Sequence, residues 1–193
     1  VKSWSSLALG DVAIIFTILF VVEFIGFLEG VAIGVAAAVV LFVISYCKIN
    51  VVRLAMEGSS FSSNVDRPDE HRKVLSSEGR KILYLKLHGF IFFASSIKLY
   101  EEVVGALLGE DGAPEFVILD FQQVSGLDTS AVHGLVKIKK KALEVGTQLA
   151  LAHVPEEIDQ LLHEEEFLDG DAVIEPIFKD ADSALEWCED FLL

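Results

Sequence analysis

The strongest constraint in the sequence is an apolar run that covers residues 12–47. As one straight helix this run would reach roughly 54 Å at about 1.5 Å per residue, well beyond a hydrocarbon core of about 30 Å. Two glutamates and two glycines interrupt the run near its middle. The run therefore predicts a membrane hairpin of two short α-helices, at residues 11–24 and 28–49. Each helix is close to the lower limit for spanning, so we expect tilt or packing in a bundle.

Charge divides the chain near Met56. Residues 1–56 hold three acidic and three basic side chains, whereas residues 57–193 hold 27 acids and 12 bases and so carry the whole net charge of −15. Such an acidic part repels nucleic acid, and we exclude nucleic-acid binding on that basis. A buried core hairpin is the alternative to a membrane hairpin, but the acidic part has enough apolar segments to form a core of its own.

Basic residues flank the apolar run at both ends. A hairpin would return Lys2, Lys48 and Arg53 to one side of the membrane. Positive flanks favour the cytoplasm. The sequence therefore predicts an integral membrane protein whose acidic part lies in the cytoplasm.

Three glycines recur every four residues inside the run, at Gly26, Gly30 and Gly34. This spacing places small residues along one face of a helix, where another membrane helix can approach closely. A flexible break between the helices is the alternative reading. We favour helix packing because the spacing holds over three glycines.

Glu23 and Glu29 are the two acidic residues near the middle of the run. Carboxylates are costly in hydrocarbon and must face protein, water or an interface. The two residues could be a polar element of a transport bundle, or they could lie at the turn of the hairpin at the membrane surface. Both alternatives stay open.

The remainder of the chain predicts an α/β domain. Residues 57–80 are predicted as a linker loop because Ser, Asp, Arg and Gly dominate them. Residues 81–193 alternate short apolar strands with amphipathic helices, which predicts a largely parallel or mixed sheet with helices packed against it. The apolar run FVIL at residues 116–119 is typical of a central strand buried on both faces. We expect this strand to end at Asp120 and to lead into a polar loop.

Asp128, Thr129 and Ser130 stand together where the helix after that loop should begin. Asp128 is the expected N-cap, because an Asp side chain there accepts backbone N–H groups. An exposed hydroxyl at a helix N-terminus is also well placed to carry phosphate, since the free amides and the helix dipole stabilise the added negative charge. Phosphate beside Asp128 would in turn be repelled by its carboxylate. Two hypotheses stay open: a structural cap alone, or a cap combined with a phosphorylation switch.

Other polar residues form no recognisable catalytic or metal-binding group. We find no acid pair, triad or phosphate-binding loop in the sequence, and His163 lacks the second histidine of a zinc protease motif. Cys47 and Cys188 have neither metal-site nor disulfide spacing. We therefore expect no enzyme activity, no cofactor and no metal site. Lysines at positions 137 and 139–141 form either a solvated face or a docking surface for anionic lipid or the membrane domain.

Three segments carry a family resemblance. VILDFQQVSGLDTSAVHGLVKIKKKALEVGTQLALAHV, residues 117–154, resembles the STAS domain, the anti-sigma-factor-antagonist module. LYLKLHGFIFFASSIKLYEEV, residues 83–103, resembles the opening strands and first helix of that domain. GFLEGVAIGVAAAVVLFVISYCKINVVRLA, residues 26–55, resembles the last membrane segments of SulP anion permeases, which carry a C-terminal STAS domain. The order of these pieces also matches.

The resemblance implies a C-terminal fragment of a secondary-active transporter for sulfate or a similar inorganic anion. Terminal transmembrane helices would lie in residues 1–56, and a cytoplasmic STAS domain at residues 81–193 would regulate activity, assembly or trafficking. A homodimer and a kinase or other regulatory protein are the expected partners. The alternative is a membrane-tethered signalling module without transport activity.

The resemblance also bears on the hydroxyl pair and on transport. Such domains have a phosphorylatable hydroxyl where Thr129 lies or, in the anti-sigma antagonists, where Ser130 lies, although Ala131 stands where a glycine is common. Anion-binding residues of the family belong to earlier membrane helices, so this fragment is not expected to transport by itself. The chain begins with Val1 and its only methionine is Met56, which also favours a piece of a longer protein.

Overall fold

The computed structural model describes residues 9–47, 50–109, 112–165, 167–168 and 174–193. The chain divides into two compact units, Val1–Ile49 and Asn50–Leu193. Each unit is considered by itself. The predicted plan, an apolar helical hairpin followed by an α/β domain with a mixed sheet, is confirmed.

The N-terminal unit is a hairpin of two α-helices, α1 (Leu9–Phe24) and α2 (Phe27–Cys47). Among the described residues, Phe27–Ile44 in α2 is the one stretch long and apolar enough to cross a membrane, with a mean hydropathy of 2.6 over 18 residues. The apolar stretch in α1, Ile15–Phe24, is shorter. Length and composition therefore identify one candidate span where the sequence predicted two.

The second unit is built on a five-stranded sheet with strand order β1-β2-β3-β4-β5. Strand β1 runs antiparallel to β2, and the other neighbouring pairs are parallel. A short 3₁₀ turn, Gly79–Lys81, precedes β2. The elements are β1 (Val52–Glu57), α3 (Asp69–Glu78), β2 (Ile82–Ile91), α4 (Phe93–Leu107), β3 (Phe116–Leu127), α5 (Thr129–Val145), β4 (Gln148–Ala152), α6 (Glu156–Glu164), β5 (Ile174–Phe178) and α7 (Ala181–Leu192).

Helices cover both faces of this sheet. One face packs against α4, α5 and α6 around buried Leu119, Leu135 and Leu162. The opposite face packs against α7, which buries Leu185 and Cys188. Because side chains alternate between the faces of a strand, β3 supplies both cores and is apolar at every position from 116 to 119.

The domain boundary differs from the one at Met56, and the predicted linker of residues 57–80 contains a helix. Strand β1 lies before the linker yet pairs with β2, so it belongs to the sheet. Within the linker, α3 is strongly charged and buries only Leu75. A single buried residue leaves no apolar period, and for this reason the composition indicated a loop.

Strand β3 is also longer than predicted. Its second half exposes Gln122, Gln123 and Ser125, so the side chains resemble those of a loop. The backbone nevertheless continues to pair with β2, as far as Leu127 beside Ile91. The backbone N–H and C=O groups form their hydrogen bonds with β2 there, and the side-chain pattern alone does not predict this pairing.

Candidate functional site at the start of helix α5

Strand β3 delivers Asp128 to the start of α5 in an extended conformation, with φ −98° and ψ 162°. Its carboxylate accepts the backbone N–H of Ala131 at 2.7 Å. This is the N-cap arrangement, in which the side chain satisfies an amide that has no partner within the helix. Asp128 thus has the cap geometry expected from the sequence.

The rest of α5 is held firmly behind this cap. Ala131, Val132 and Leu135 are fully buried against the sheet. At the other end Gly146 adopts φ 79°, a left-handed conformation that ends the helix and that glycine adopts without steric cost. The first turn of α5 is therefore a rigid platform.

Thr129 and Ser130 are both exposed on that platform. They occupy the first two helical positions, where the backbone amides and the helix dipole create a positive potential. A phosphoryl group on either oxygen would meet that potential and the carboxylate of Asp128 at once. The geometry can therefore support a change of surface charge at this point.

A groove of about 440 Å³ begins at Ser130 and runs between α4 and α5. Phe93 and Ile97 of α4 line one side, and His133 and Lys137 of α5 line the other. The helices approach closely at its floor, since a Cβ on Gly134 would lie 2.9 Å from the Ser96 side chain. Sequence reasoning missed this groove because the two helices are far apart along the chain.

The lysine cluster of α5 is smaller than the sequence suggested. Lys139 is buried, and its ammonium donates a hydrogen bond to the backbone oxygen of Phe167 at 2.8 Å. The same ammonium lies 5.5 Å from the centre of the Phe167 ring. Lys139 therefore joins α5 to the segment after α6. Lys141 pairs with Glu144 at 2.8 Å, and Lys137 and Lys140 are the exposed lysines of the cluster.

A second polar group lies within β3, beside the carboxyl end of β4. The carboxylate of Asp120 is fully buried and accepts hydrogen bonds from the Tyr84 hydroxyl and from the N–H of Gln122. His153 Nδ1 lies 2.8 Å from the same carboxylate. Burial and the bond to Asp120 raise the pKa of Tyr84, so its phenol stays protonated and acts as a donor. Asp120 directly after the apolar run of residues 116–119 was the one sequence signal for this network.

Residues 75–184, more than half of the chain, match the STAS domain family. The chain belongs to the STAS domain family. This confirms the STAS resemblance noted in the sequence.

Proteins similar to this chain include membrane transporters. The chain is 26% identical over 200 residues to the vacuolar basic amino acid transporter VSB1 of Saccharomyces cerevisiae, a match that covers 100% of this chain and 19% of that protein. It superposes on the murine anion transporter Slc26a9 in the inward-facing state with a TM-score of 0.64 and 20% identity, covering 97% of this chain and 30% of that one. The chain thus spans under a third of either transporter.

Smaller STAS structures are also similar. The unphosphorylated anti-sigma factor antagonist SpoIIAA aligns with a TM-score of 0.47 and 15% identity, over 56% of this chain and 89% of that one. The likeness to Slc26a9 extends over the hairpin as well as the STAS domain, because it covers nearly the whole chain. At this identity the likeness concerns the fold alone.

The remaining predicted site residues belong to the hairpin rather than to the STAS domain. A Cβ on Gly30 would lie 2.3 Å from Val22, and one on Gly34 would lie 2.8 Å from Ile18, so both glycines face α1. Gly26 instead lies in the turn between the helices, with φ 156°. For Gly26, this position agrees with the alternative in which the glycine marks a break between the helices.

The two acidic residues of the run lie on either side of this turn. Glu23 and Glu29 are both exposed, and Glu29 carries its carboxylate next to Gly26. They lie in the turn region of the hairpin, and both alternatives for their role stay predictions. Glu23 and Glu29 belong to the N-terminal unit, whereas Asp128 belongs to the second unit.

Proposed function

We propose that this chain is the C-terminal part of a secondary-active transporter, with a membrane-embedded hairpin and a regulatory STAS domain. The observation that carries the proposal is the fold likeness to Slc26a9, which extends over 97% of the chain and includes both units. A STAS domain alone would fit a signalling protein equally well. The apolar hairpin in front of it favours the transporter.

Exposure within the hairpin supports a lipid environment. Large apolar side chains such as Phe16, Phe20 and Phe24 are more than half exposed in the N-terminal unit. A surface of this kind is unfavourable in water and favourable in hydrocarbon or against other membrane helices. The acidic STAS domain belongs in water, and the basic flanks of the hairpin favour the cytoplasmic side.

Two substrate classes have support. An inorganic anion such as sulfate follows from the resemblance to SulP permeases and from the likeness to an anion transporter. A basic amino acid follows from the yeast relative, which matches this chain over its full length. The chain includes no transport core by which to choose, so we keep the anion as the main proposal and the basic amino acid as the second.

Transport by the whole protein tests both classes. Membrane vesicles that contain the longer protein should accumulate radiolabelled sulfate. Radiolabelled arginine, supplied in a separate assay, tests the second substrate class. Deletion of residues 50–193 should change the uptake rate or the amount of protein in the membrane without changing which substrate is taken up. Vesicles that accumulate neither substrate would favour the tethered signalling module.

Regulation is proposed to act through Thr129 and Ser130. Their exposed hydroxyls at a capped helix N-terminus support a phosphorylation switch, with a kinase as partner. In cell extract, the double substitution of Thr129→Ala and Ser130→Ala should abolish phosphate labelling of this helix, mapped by mass spectrometry. Each single substitution identifies which hydroxyl is used. Undiminished labelling of the α5 peptide would rule out this site.

A homodimer is the proposed assembly of the transporter. Chemical cross-linking of the longer protein in its native membrane should give a band of twice the monomer mass. The same band should survive dilution of the membranes with excess lipid before cross-linking. A monomeric band under both conditions would remove the homodimer from the proposal.

A further inference from the structure

The loop after β1 is tied to the C-terminal helix on the sheet face opposite to α5. Glu189 of α7 is buried, with 3% of its side chain exposed. It accepts the backbone N–H of Ser63 at 2.7 Å, the Ser63 hydroxyl at 2.5 Å and Arg67 Nε at 3.0 Å. Asp182 accepts the backbone N–H of Asn64 at 2.8 Å. We name these five residues, Ser63, Asn64, Arg67, Asp182 and Glu189, the clasp.

The clasp helps to hold α7 against the sheet. Helix α7 buries Leu185 and Cys188 in the second core. The loop adds Phe61, whose ring lies 5.0 Å from that of Tyr84, next to the same core. Release of the loop would therefore uncover part of this core and leave α7 without its polar attachments.

The Ser63 hydroxyl is the contact most sensitive to chemical change. It donates its only proton to a carboxylate that is shielded from water. A phosphoryl group at this oxygen would remove the donor and add about −1.5 to −2 charges beside Glu189. Like charges repel most strongly where water cannot screen them, so both ions could not stay in place.

The clasp is also incompletely satisfied, because Nη2 of Arg67 is buried without a hydrogen-bond partner among the described residues. A buried donor without an acceptor costs free energy. A phosphoryl group on Ser63 would offer new acceptor oxygens to Arg67 and compete with Glu189 for it. Loss of this partner would leave the Glu189 carboxylate without a counter-charge, which favours opening.

The surrounding loop is accessible to a modifying enzyme. Residues 58–68 contain neither helix nor strand, and Ser59, Ser60 and Ser62 are exposed. Asp66 stands three residues after Ser63, and two more acidic residues begin α3. This acidic context fits a serine kinase that reads negative charge on the C-terminal side of its target hydroxyl.

We propose that Ser63 is a phosphorylation site and that its phosphorylation opens the clasp. In the reaction, Ser63 Oγ forms a bond to the γ-phosphorus of ATP, the bond from that phosphorus to the β–γ bridging oxygen breaks, and ADP leaves. The kinase's base takes the serine proton. This site is distinct from Thr129 and Ser130, which lie on a helix that covers the other face of the sheet.

Opening is tested by hydrogen exchange on the full chain in detergent micelles, using Ser63→Glu as the charged variant. Amides in residues 58–68 and in α7 should exchange at least about tenfold faster than in the unmodified chain, because these segments unfold locally. Ser62→Glu is the matched control, since it adds the same charge to an exposed neighbour and should leave α7 protected. Equal protection of α7 in both variants would overturn the proposal.

Modification is tested with an acid-directed serine kinase and labelled ATP on the same full chain. Mass spectrometry should place phosphate on Ser63, and the label should be lost in Ser63→Ala but kept in the Thr129→Ala, Ser130→Ala double variant. Glu189→Gln should accelerate labelling of Ser63 because it weakens the clasp and frees the hydroxyl. Absence of phosphate on Ser63 in this loosened variant would exclude the site.

Discussion

The hairpin and the STAS domain arrange their apolar side chains in opposite ways. In the hairpin Phe24 is 72% exposed, whereas in the domain Phe121 of β3 has no exposed surface. The sequence is apolar in both places, so hydropathy alone does not distinguish an exposed helix of the hairpin from a buried strand of the domain. Charge makes the difference, since every unit of the net −15 belongs to residues 57–193.

Both regions nevertheless use glycine where two helices approach closely. Gly30 faces Val22 in the hairpin, and Gly134 of α5 faces Ser96 of α4 in the domain. In the domain the contact lies beside a large buried core, whereas in the hairpin both Gly30 and Gly34 face α1 directly. One added carbon should therefore have a larger relative effect in the hairpin.

The largest expected effect concerns the N-terminal boundary of the STAS domain, where the second unit begins. A piece that starts at residue 57 lacks β1 and with it Val51 and Val52, which are 2% and 6% exposed. Burial of a valine contributes about 1.5–3 kcal/mol, so we expect this piece to be less stable than residues 50–193 by about 5 kcal/mol once the lost strand pairing is included. Urea unfolding followed by circular dichroism measures the difference. Equal midpoints would mean that β1 is no part of the domain.

The second effect sharpens the contrast between the glycines. Gly30→Val should destabilise the helix hairpin by about 1–3 kcal/mol, because its side chain would overlap Val22 and its backbone. Gly105 of α4 is the matched control, since a Cβ there would meet no atom within 4 Å. Gly105→Ala should instead stabilise the domain by about 0.5–1 kcal/mol. Unfolding of the full chain in detergent by increasing SDS measures the stability of both variants. Unchanged stability in Gly30→Val would contradict close packing of the two helices.

The same contrast explains which parts of the fold were predictable. The hairpin follows from a long apolar run that is interrupted near its middle, and the central strand follows from a short uninterrupted one. The Asp128 cap follows from an acid placed before a helical period. Helix α3 was missed because it buries one residue, and the end of β3 was missed because only its backbone pairs. Local sequence patterns report which side chains are buried. Helix α3 and the end of β3 bury few side chains, so these patterns do not reveal them.

The site was predictable only in part for a similar reason. Thr129 and Ser130 are neighbours in sequence, so their position at a helix start could be read directly. The clasp joins Ser63 to Glu189, and the Asp120 network joins residues from three strands or their ends. Contacts between such distant residues depend on the topology of the sheet. A single sequence does not show which distant residues this topology brings together.

The third effect concerns the start of a helix in the STAS domain. Asp128→Ala should cost about 1 kcal/mol, because the N–H of Ala131 loses its side-chain acceptor at the start of α5. Asp128→Asn keeps an acceptor oxygen and should cost much less. Urea midpoints of the two variants separate the cap from the charge. Equal losses in both would show that the charge, and not the cap, stabilises this helix.

The smallest effect is a pH dependence at the start of α7. The N–H and then the hydroxyl of Ser183 donate to Asp180, and these bonds lower the pKa of its carboxyl below the ordinary 3.8. A carboxyl with a lowered pKa in the folded state stabilises the fold above its ordinary pKa, and this contribution is lost as the pH falls through the folded-state value. Asp180→Asn, which resembles the protonated carboxyl, should therefore lower the urea midpoint slightly at neutral pH and leave it unchanged at the lowest pH, so that the variant loses less stability below about pH 4. Urea midpoints of residues 50–193 between pH 2.5 and 7 measure this, provided that the piece folds as the first experiment requires. Because the carboxyl is in contact with solvent, the change in stability should be smaller than that of Asp128→Ala. Parallel pH profiles for the variant and the unmodified piece would show that the Ser183 bonds contribute no pH-dependent stability.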